Sequence, residues 1–204
     1  MNILDNGKKV IIVDYGLGNV RSVAKMVRRA QVDYAISSDP NEILNAGRII
    51  LPGVGAFGDG ICKLKNRGLI EPLNEAVLEK GTPILGICLG MALMASIGEE
   101  HGEHEGLGWI SGRVKRFDND SGLRIPHVGW NGIQIVNRNP LFEDIPSAAT
   151  FYFTHSYVLH NDDPANVTST CDYGETFTAA VMKNNIFGCQ FHPEKSQRNG
   201  GVIL

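Results

Sequence analysis

Gly86-Ile87-Cys88-Leu89-Gly90 sets a thiol between two residues that have no side chain, directly after the apolar pair Ile84-Leu85. A side chain held at the tip of a tight strand-to-helix turn needs such neighbours, because bulk on either side would collide across the turn. The pattern is Gly-x-Cys-x-Gly, the sulfur counterpart of the serine nucleophile elbow, and a helix-compatible segment follows from Met91 to Ile97. A thiol at a helix N-terminus meets the positive end of the dipole and free N–H groups, both of which favour a thiolate. An isolated cysteine is usually a buried structural residue; the two flanking glycines mark Cys88 as a nucleophile instead. A second pair of chemical groups lies near the C-terminus in His192-Pro193-Glu194. Two residues apart on extended backbone, the imidazole and carboxylate can face the same side. The carboxylate then accepts from one ring nitrogen and stabilises the imidazolium, leaving the other nitrogen to take a thiol proton. Together these residues form a nucleophile, a base and an orienting group.

The elements that must position them follow from the apolar pattern. Lys9–Asp14 is a β-branched run of the kind buried in parallel sheets. Val20–Ala30 places Val20, Val23, Ala24 and Val27 on one helical face. Val32–Ser37 reads as a second strand, and Asn45–Leu51 leads into a third. That strand runs into the glycine-rich loop Pro52–Gly60, which reads equally as a plain βα connection or as a source of backbone N–H groups for an oxyanion. Leu69–Lys80 is an amphipathic helix that tolerates Pro72 near its first turn. These strand–turn–helix units predict an α/β fold: an open, mostly parallel twisted sheet with helices on both faces. Sites in such sheets lie at the carboxyl ends of the strands, where the loops after Asp14, Leu51 and Ile87 converge. From Trp109 onward the texture changes to short strands at Arg113–Phe117, Gly132–Val136, Phe151–Leu159, Phe177–Met182 and Ile186–Phe191, with Asn184-Asn185 as a turn. They add β-hairpins to the α/β core, with no linker that would divide residues 1–204 into two domains.

Several function classes are disfavoured. A net charge of −3 over 204 residues gives no reason to expect nucleic acid or an anionic membrane. Tyr15-Gly-Leu-Gly-Asn19 begins a dinucleotide fingerprint, but Arg21 stands where its third glycine belongs; no Lys-Ser/Thr follows the later glycine-rich loop in Walker fashion. Glu99–Glu105 is rich in ligand types, yet it reads as a solvated loop with nothing to fix a metal geometry. No cofactor and no metal is expected. The four cysteines, at 62, 88, 171 and 189, contain no C-x-x-C pair, and neither a leader nor a membrane span is evident. A reduced, cytoplasmic protein is expected.

Gly86–Gly90 with His192–Glu194 resembles the class I (triad) glutamine amidotransferases. Asp14–Asn19, Leu51–Gly55, Pro126–Asn131, Phe153–Tyr157 and Gln190–Gln197 extend the likeness over nearly the whole chain, most closely toward the glutaminase subunits of imidazole glycerol phosphate synthases. The resemblance implies that Cys88 attacks the side-chain amide of glutamine, with His192 as general base and acid and Glu194 orienting it. It further implies oxyanion donors at Leu89 and the Gly53-Val54 turn, and substrate contacts at Gly55, Ser156 and Tyr157. The partner it implies is a (β/α)8-barrel synthase that receives the ammonia across a face carrying Asn19, Trp130 and Lys195. Ala92 departs from the family, which usually has Gln there, and Val202-Ile203-Leu204 reads as the start of a helix. Three readings stand together: the histidine-pathway glutaminase, a paralogue supplying ammonia for an amidino sugar of surface polysaccharide, and a catalytically silent subunit that stabilises its partner.

Overall fold

A computed structural model describes residues 9–118 and 122–204. The first half builds the parallel core. Strand β1 (Val10–Val13) is followed by helix α1 (Val20–Arg29), β2 (Tyr34–Ser37), α2 (Pro40–Leu44) and β3 (Arg48–Gly53). Helices α3 (Phe57–Asn66) and α4 (Ile70–Asn74), the latter continuing into a π-turn over Glu75–Glu79, lead to β4 (Ile84–Cys88) and the short α5 (Leu89–Leu93). The second half adds β5 (Ala95–Gly98), β6 (His104–Glu105), β7 (Ile110–Arg116), β8 (His127–Gly132) and β9 (Gln134–Ile135). Then come β10 (Thr150–His155), β11 (Tyr157–Asn161), β12 (Val167–Asp172), β13 (Thr176–Lys183), β14 (Ile186–Cys189) and α6 (Gln197–Ile203).

Eight strands form the main sheet in the order β2-β1-β3-β4-β14-β13-β12-β9. The first five are mutually parallel, and the last three continue antiparallel. Every residue of β1 and of β4 is buried, as expected for strands covered on both faces. Two apolar clusters lie against the sheet, one containing Ile11, Val13, Leu51, Leu64 and Leu73, the other Ile12, Val23, Val27, Phe151 and Phe191. On α1 the buried face is Val23, Ala24, Met26 and Val27, with Val20 half-buried at its start. A four-stranded sheet, β11-β7-β5-β6, and the antiparallel ribbon β10-β8 complete the second half.

The structure departs from sequence expectation at five places, the first being the last helix, α6, which ends at Ile203 instead of starting at Val202. The helix after the elbow ends at Leu93, and Ala95–Gly98 instead pairs with β7, a long-range contact that overrides local helical propensity. The Pro52–Gly60 loop is shorter than its glycines suggest. Gly53 belongs to β3, and Gly58, Asp59 and Gly60 lie on α3, where Gly60 lets the helix pass close over Leu93. Phe151–Leu159 is two strands in different sheets that break at Ser156. Finally, Glu99–Glu105 is not a plain solvated loop. Its end pairs back on β5, Arg113 forms salt bridges with Glu99 and Glu103, and Glu100 points inward.

Candidate active site

At the carboxyl end of the parallel strands, Cys88 is the last residue of β4 and the residue before α5. Its backbone has φ 53° and ψ −108°, a strained conformation for a residue with a Cβ. Such strain costs on the order of 1–3 kcal/mol and persists only where surrounding packing imposes it. The glycines show how the turn is closed. A Cβ on Gly86 would lie 2.7 Å from the Met91 nitrogen, and one on Gly90 would overlap the Leu51 carbonyl. The elbow is therefore pressed against β3, with Gly53 opposite Cys88 in the ladder.

His192 arrives from the neighbouring strand. β14 pairs with β4 as far as Cys189 opposite Ile87, and the chain then turns into a 3-10 segment, Pro193–Lys195. The His192 N–H donates to the Tyr152 carbonyl at 2.8 Å. Buried Ser196 links the same two segments, its hydroxyl donating to the His192 carbonyl at 2.6 Å and accepting from the Tyr152 N–H at 3.0 Å. His192 Nδ1 and Glu194 Oε1 are 2.8 Å apart, with both side chains buried. The pairing forms in this turn rather than along a straight strand. Nε2 of His192 is buried without another hydrogen-bond partner and interacts with the Cys88 sulfur. Burial opposes charge on the imidazole, but the Cys88 sulfur and the Glu194 carboxylate outweigh it and raise the pKa to about 9. The raised value favours the imidazolium form of His192 beside the Cys88 sulfur.

A cavity of about 570 Å³ opens over Cys88, and its lining includes the expected Val54, Gly55, Leu89, Ser156 and Tyr157. Gly53 stands opposite Cys88 in the β3–β4 ladder but is not among the residues that line the cavity. Leu89 opens α5, so its N–H has no acceptor within the helix. Ala92 and Lys195 also line the cavity. The remaining expected surface residues divide. Trp130 is 48% exposed and stands edge-on to Tyr152, over which Lys195 Nζ lies 5.4 Å from the ring centroid. Asn19 precedes α1, which packs against the Pro193–Lys195 turn, but Asn19 does not reach the cavity.

Three further groups belong to the site and escaped sequence reasoning. Gln190 Nε2 donates toward Cys88 Sγ at 3.7 Å, and Sγ lies 3.9 Å from the Thr154 carbonyl. Glu100 lines the cavity while its Oε2 accepts from the Phe57 N–H at the start of α3, at 2.8 Å. Tyr15 is fully buried with its hydroxyl against Gly53, and burial, together with Cys88, pushes its pKa upward. Only Gln190 had a sequence signal, its place two residues before His192. Among the described residues no cluster of His, Cys, Asp and Glu has the geometry to hold a metal.

A nucleophile on a strained elbow, a charged imidazole and an orienting carboxylate at the rim of one cavity suit acyl transfer through a thioester. The family profile "Glutamine amidotransferase class-I" matches residues 11–203. This chain belongs to the class I glutamine amidotransferases. It is 44% identical over 200 residues to the imidazole glycerol phosphate synthase subunit HisH of Syntrophotalea carbinolica, covering 96% of this chain and 97% of that one. The protein of the same name from Rhodopirellula baltica is 46% identical over 191 residues, covering 94% and 92%. A crystal structure of a glutamine amidotransferase matches with a TM-score of 0.73 at 17% identity over 93% of each chain, which shows the fold alone. The amidotransferase is thus an α/β enzyme of the expected class. No helix among its described residues is long and apolar enough to cross a membrane.

Proposed function

We propose that the chain is the glutaminase subunit of an imidazole glycerol phosphate synthase, a single cytoplasmic domain that releases ammonia from glutamine for a (β/α)8-barrel partner. The histidine-pathway reading is favoured over the polysaccharide paralogue by the names of relatives aligned along nearly the whole chain. The observation that carries the chemistry is Cys88 at positive φ beside an imidazolium whose other nitrogen is bound to buried Glu194. It also argues against a silent subunit.

The reaction follows from these positions. The Cys88 sulfur attacks the side-chain carbonyl carbon of glutamine, and the oxygen takes up the charge facing N–H groups of Leu89 and the Gly53-Val54 turn. One such donor is typically worth on the order of 3 kcal/mol of barrier. The C–N bond breaks as His192 gives its proton to the departing nitrogen, which leaves as ammonia. Water then attacks the γ-glutamyl thioester while neutral His192 accepts its proton. The C–S bond breaks, giving glutamate and restoring the thiolate–imidazolium pair. Gly55, Ser156 and Tyr157 hold the amino-acid end of glutamine. Glu100, the one acidic side chain in the cavity lining among the described residues, supplies the counter-charge for the α-ammonium.

The partner docks over the face carrying Trp130, Lys195 and Asn19. Trp130 suits this role as an exposed aromatic anchor. The test is glutamate release from glutamine by the isolated chain, by its complex with the barrel protein, and by that complex with acceptor substrate. Release that depends on Cys88 and rises on assembly supports the reading; no release under any of the three conditions refutes it.

A further inference from the structure

Two buried histidines take no part in the chemistry above. His127, on β8, lies opposite His155, on β10, in the antiparallel ladder. His127 Nδ1 is 3.1 Å from His155 Nε2, and His155 Nδ1 is 3.0 Å from the Tyr157 carbonyl oxygen. A carbonyl only accepts, so His155 Nδ1 carries a proton. With His155 neutral, its Nε2 is a bare acceptor and His127 Nδ1 must be the donor. Both rings are thus held as Nδ1–H tautomers in one directed chain that ends on Tyr157.

The surroundings keep this chain neutral and still. His127 is stacked between Tyr173, centroids 4.0 Å apart, and Phe153, 4.9 Å apart, each at an interplanar angle of 21°. Phe117 and Phe177 pack against both rings. Burial, reinforced by the charges of His127 and His192, holds His155 down to about 3 against the opposing Tyr157 hydrogen bond, while burial alone lowers His127 to about 4.

The chain ends where the candidate substrate contacts lie. Ser156 is the single residue between β10 and β11, which belong to different sheets; Tyr157 pairs with Arg116 of β7 and His155 with His127 of β8, while Ser156 itself has no ladder partner. Two carbonyls of the corner have defined donors: Ser156 O accepts from the Phe117 N–H at 3.0 Å, which extends the β7–β11 pairing by one step, and Tyr157 O accepts from the His155 ring, a side-chain contact outside either ladder. His155, Ser156 and Tyr157 all line the cavity over Cys88.

We propose that His127 and His155 are positioning residues, a tautomer-locked pair that sets the Ser156–Tyr157 corner at the distance that grips the amino-acid end of glutamine. This rests on the glutaminase reading above. Its kinetic signature is a change in KM for glutamine with kcat largely preserved, because the pair acts through the Tyr157 carbonyl and makes no hydrogen bond to Cys88 or His192.

The test has two arms. In 15N-histidine-labelled protein at pH 7, long-range 15N–1H correlation should show both rings neutral with the proton on Nδ1; an Nε2–H tautomer at either position overturns the proposal. In glutaminase assays of the assembled complex, His127→Phe removes the donor but keeps a ring. It should raise KM about five- to tenfold, the scale of one net hydrogen bond, with kcat within about twofold. His127→Asn returns an N–H to the Nδ1 position and should bring KM back to within about threefold of wild type. A loss carried by kcat, or no rescue by Asn, overturns the proposal. Should His127→Phe fail to fold, His155→Asn, which keeps a donor for Tyr157, must raise KM less than His155→Phe; equal rises overturn it. If both rings show Nδ1–H tautomers and the wild-type complex releases no glutamate, the glutaminase reading has failed while the hydrogen-bond chain stands, and the positioning role falls with the reading.

Discussion

Glu194→Gln removes the charge beside His192 while keeping a side chain of the same size. The carboxylate accepts from His192 Nδ1 at 2.8 Å, in a place where both side chains are buried. His192 sits near 9 although burial pulls it below 6.5, so the Cys88 sulfur and Glu194 together supply more than the observed rise. That rise corresponds to on the order of 3 kcal/mol favouring the imidazolium. A hydrogen bond to a charged group is worth about 1.5–3 kcal/mol, so losing the charge should lower the His192 value by about 1–2 units. The sign follows from linkage: a raised histidine stabilises the fold below its unfolded value of 6.5, and that contribution fades as pH rises through about 9. In Glu194→Gln the fading should start from the same unfolded value but be complete nearer pH 7–8, given the same fall of about 1–2 in the folded value. NMR titration of His192 in wild type and variant reads this directly, and alkylation of Cys88 against pH reads its effect on the sulfur. Glutaminase kcat should fall about ten- to a hundredfold, since each pKa unit lost from the ion pair is about 1.4 kcal/mol. A variant titration within about half a unit of wild type refutes the account of how the site is charged.

Three other perturbations probe separate links. Gly90→Ala puts a methyl group into the Leu51 carbonyl and should abolish glutaminase activity and lower stability by several kcal/mol, about 1–3 from overpacking plus backbone displacement, measured by urea unfolding. Ala92→Gln restores a carboxamide to the cavity lining and should tighten glutamine binding by roughly 1 kcal/mol, one net hydrogen bond; unchanged KM would show that position 92 does not touch substrate. His127 and His155 are neutral when folded, so stability should be full above pH 6.5 and decline as pH falls toward about 4. At pH 4.5 each would cost on the order of 2–3 kcal/mol, and His127→Asn should flatten the pH dependence of the urea midpoint.

The elbow was legible because its constraint is local: Gly86 and Gly90 are two residues either side of Cys88, and their missing side chains are the requirement itself. The parallel strands were legible for a related reason, since β1 and β4 are buried on both faces and must read as continuous apolar runs. What was hidden depends on partners distant in the chain. Ala95–Gly98 looks like the rest of a helix until β7 is present to pair with it. Glu100 looks like part of a solvated acidic run until the start of α3, 43 residues earlier, supplies an N–H for it. The His127–His155 contact joins two motifs 28 residues apart whose register nothing in the sequence fixes.

The central claim is that Cys88 carries the glutamyl group. An electrophilic glutamine analogue followed by peptide mass spectrometry tests it most directly. Cys171 and Cys189 are buried, and that burial pushes their thiols up, to about 12 for Cys171; Cys62 is exposed but lies outside the cavity. The account predicts a single adduct on Cys88, blocked by excess glutamine and lost in Cys88→Ser. An adduct on Cys62, Cys171 or Cys189 in preference to Cys88, or glutamate release by Cys88→Ser near the wild-type rate, would contradict it.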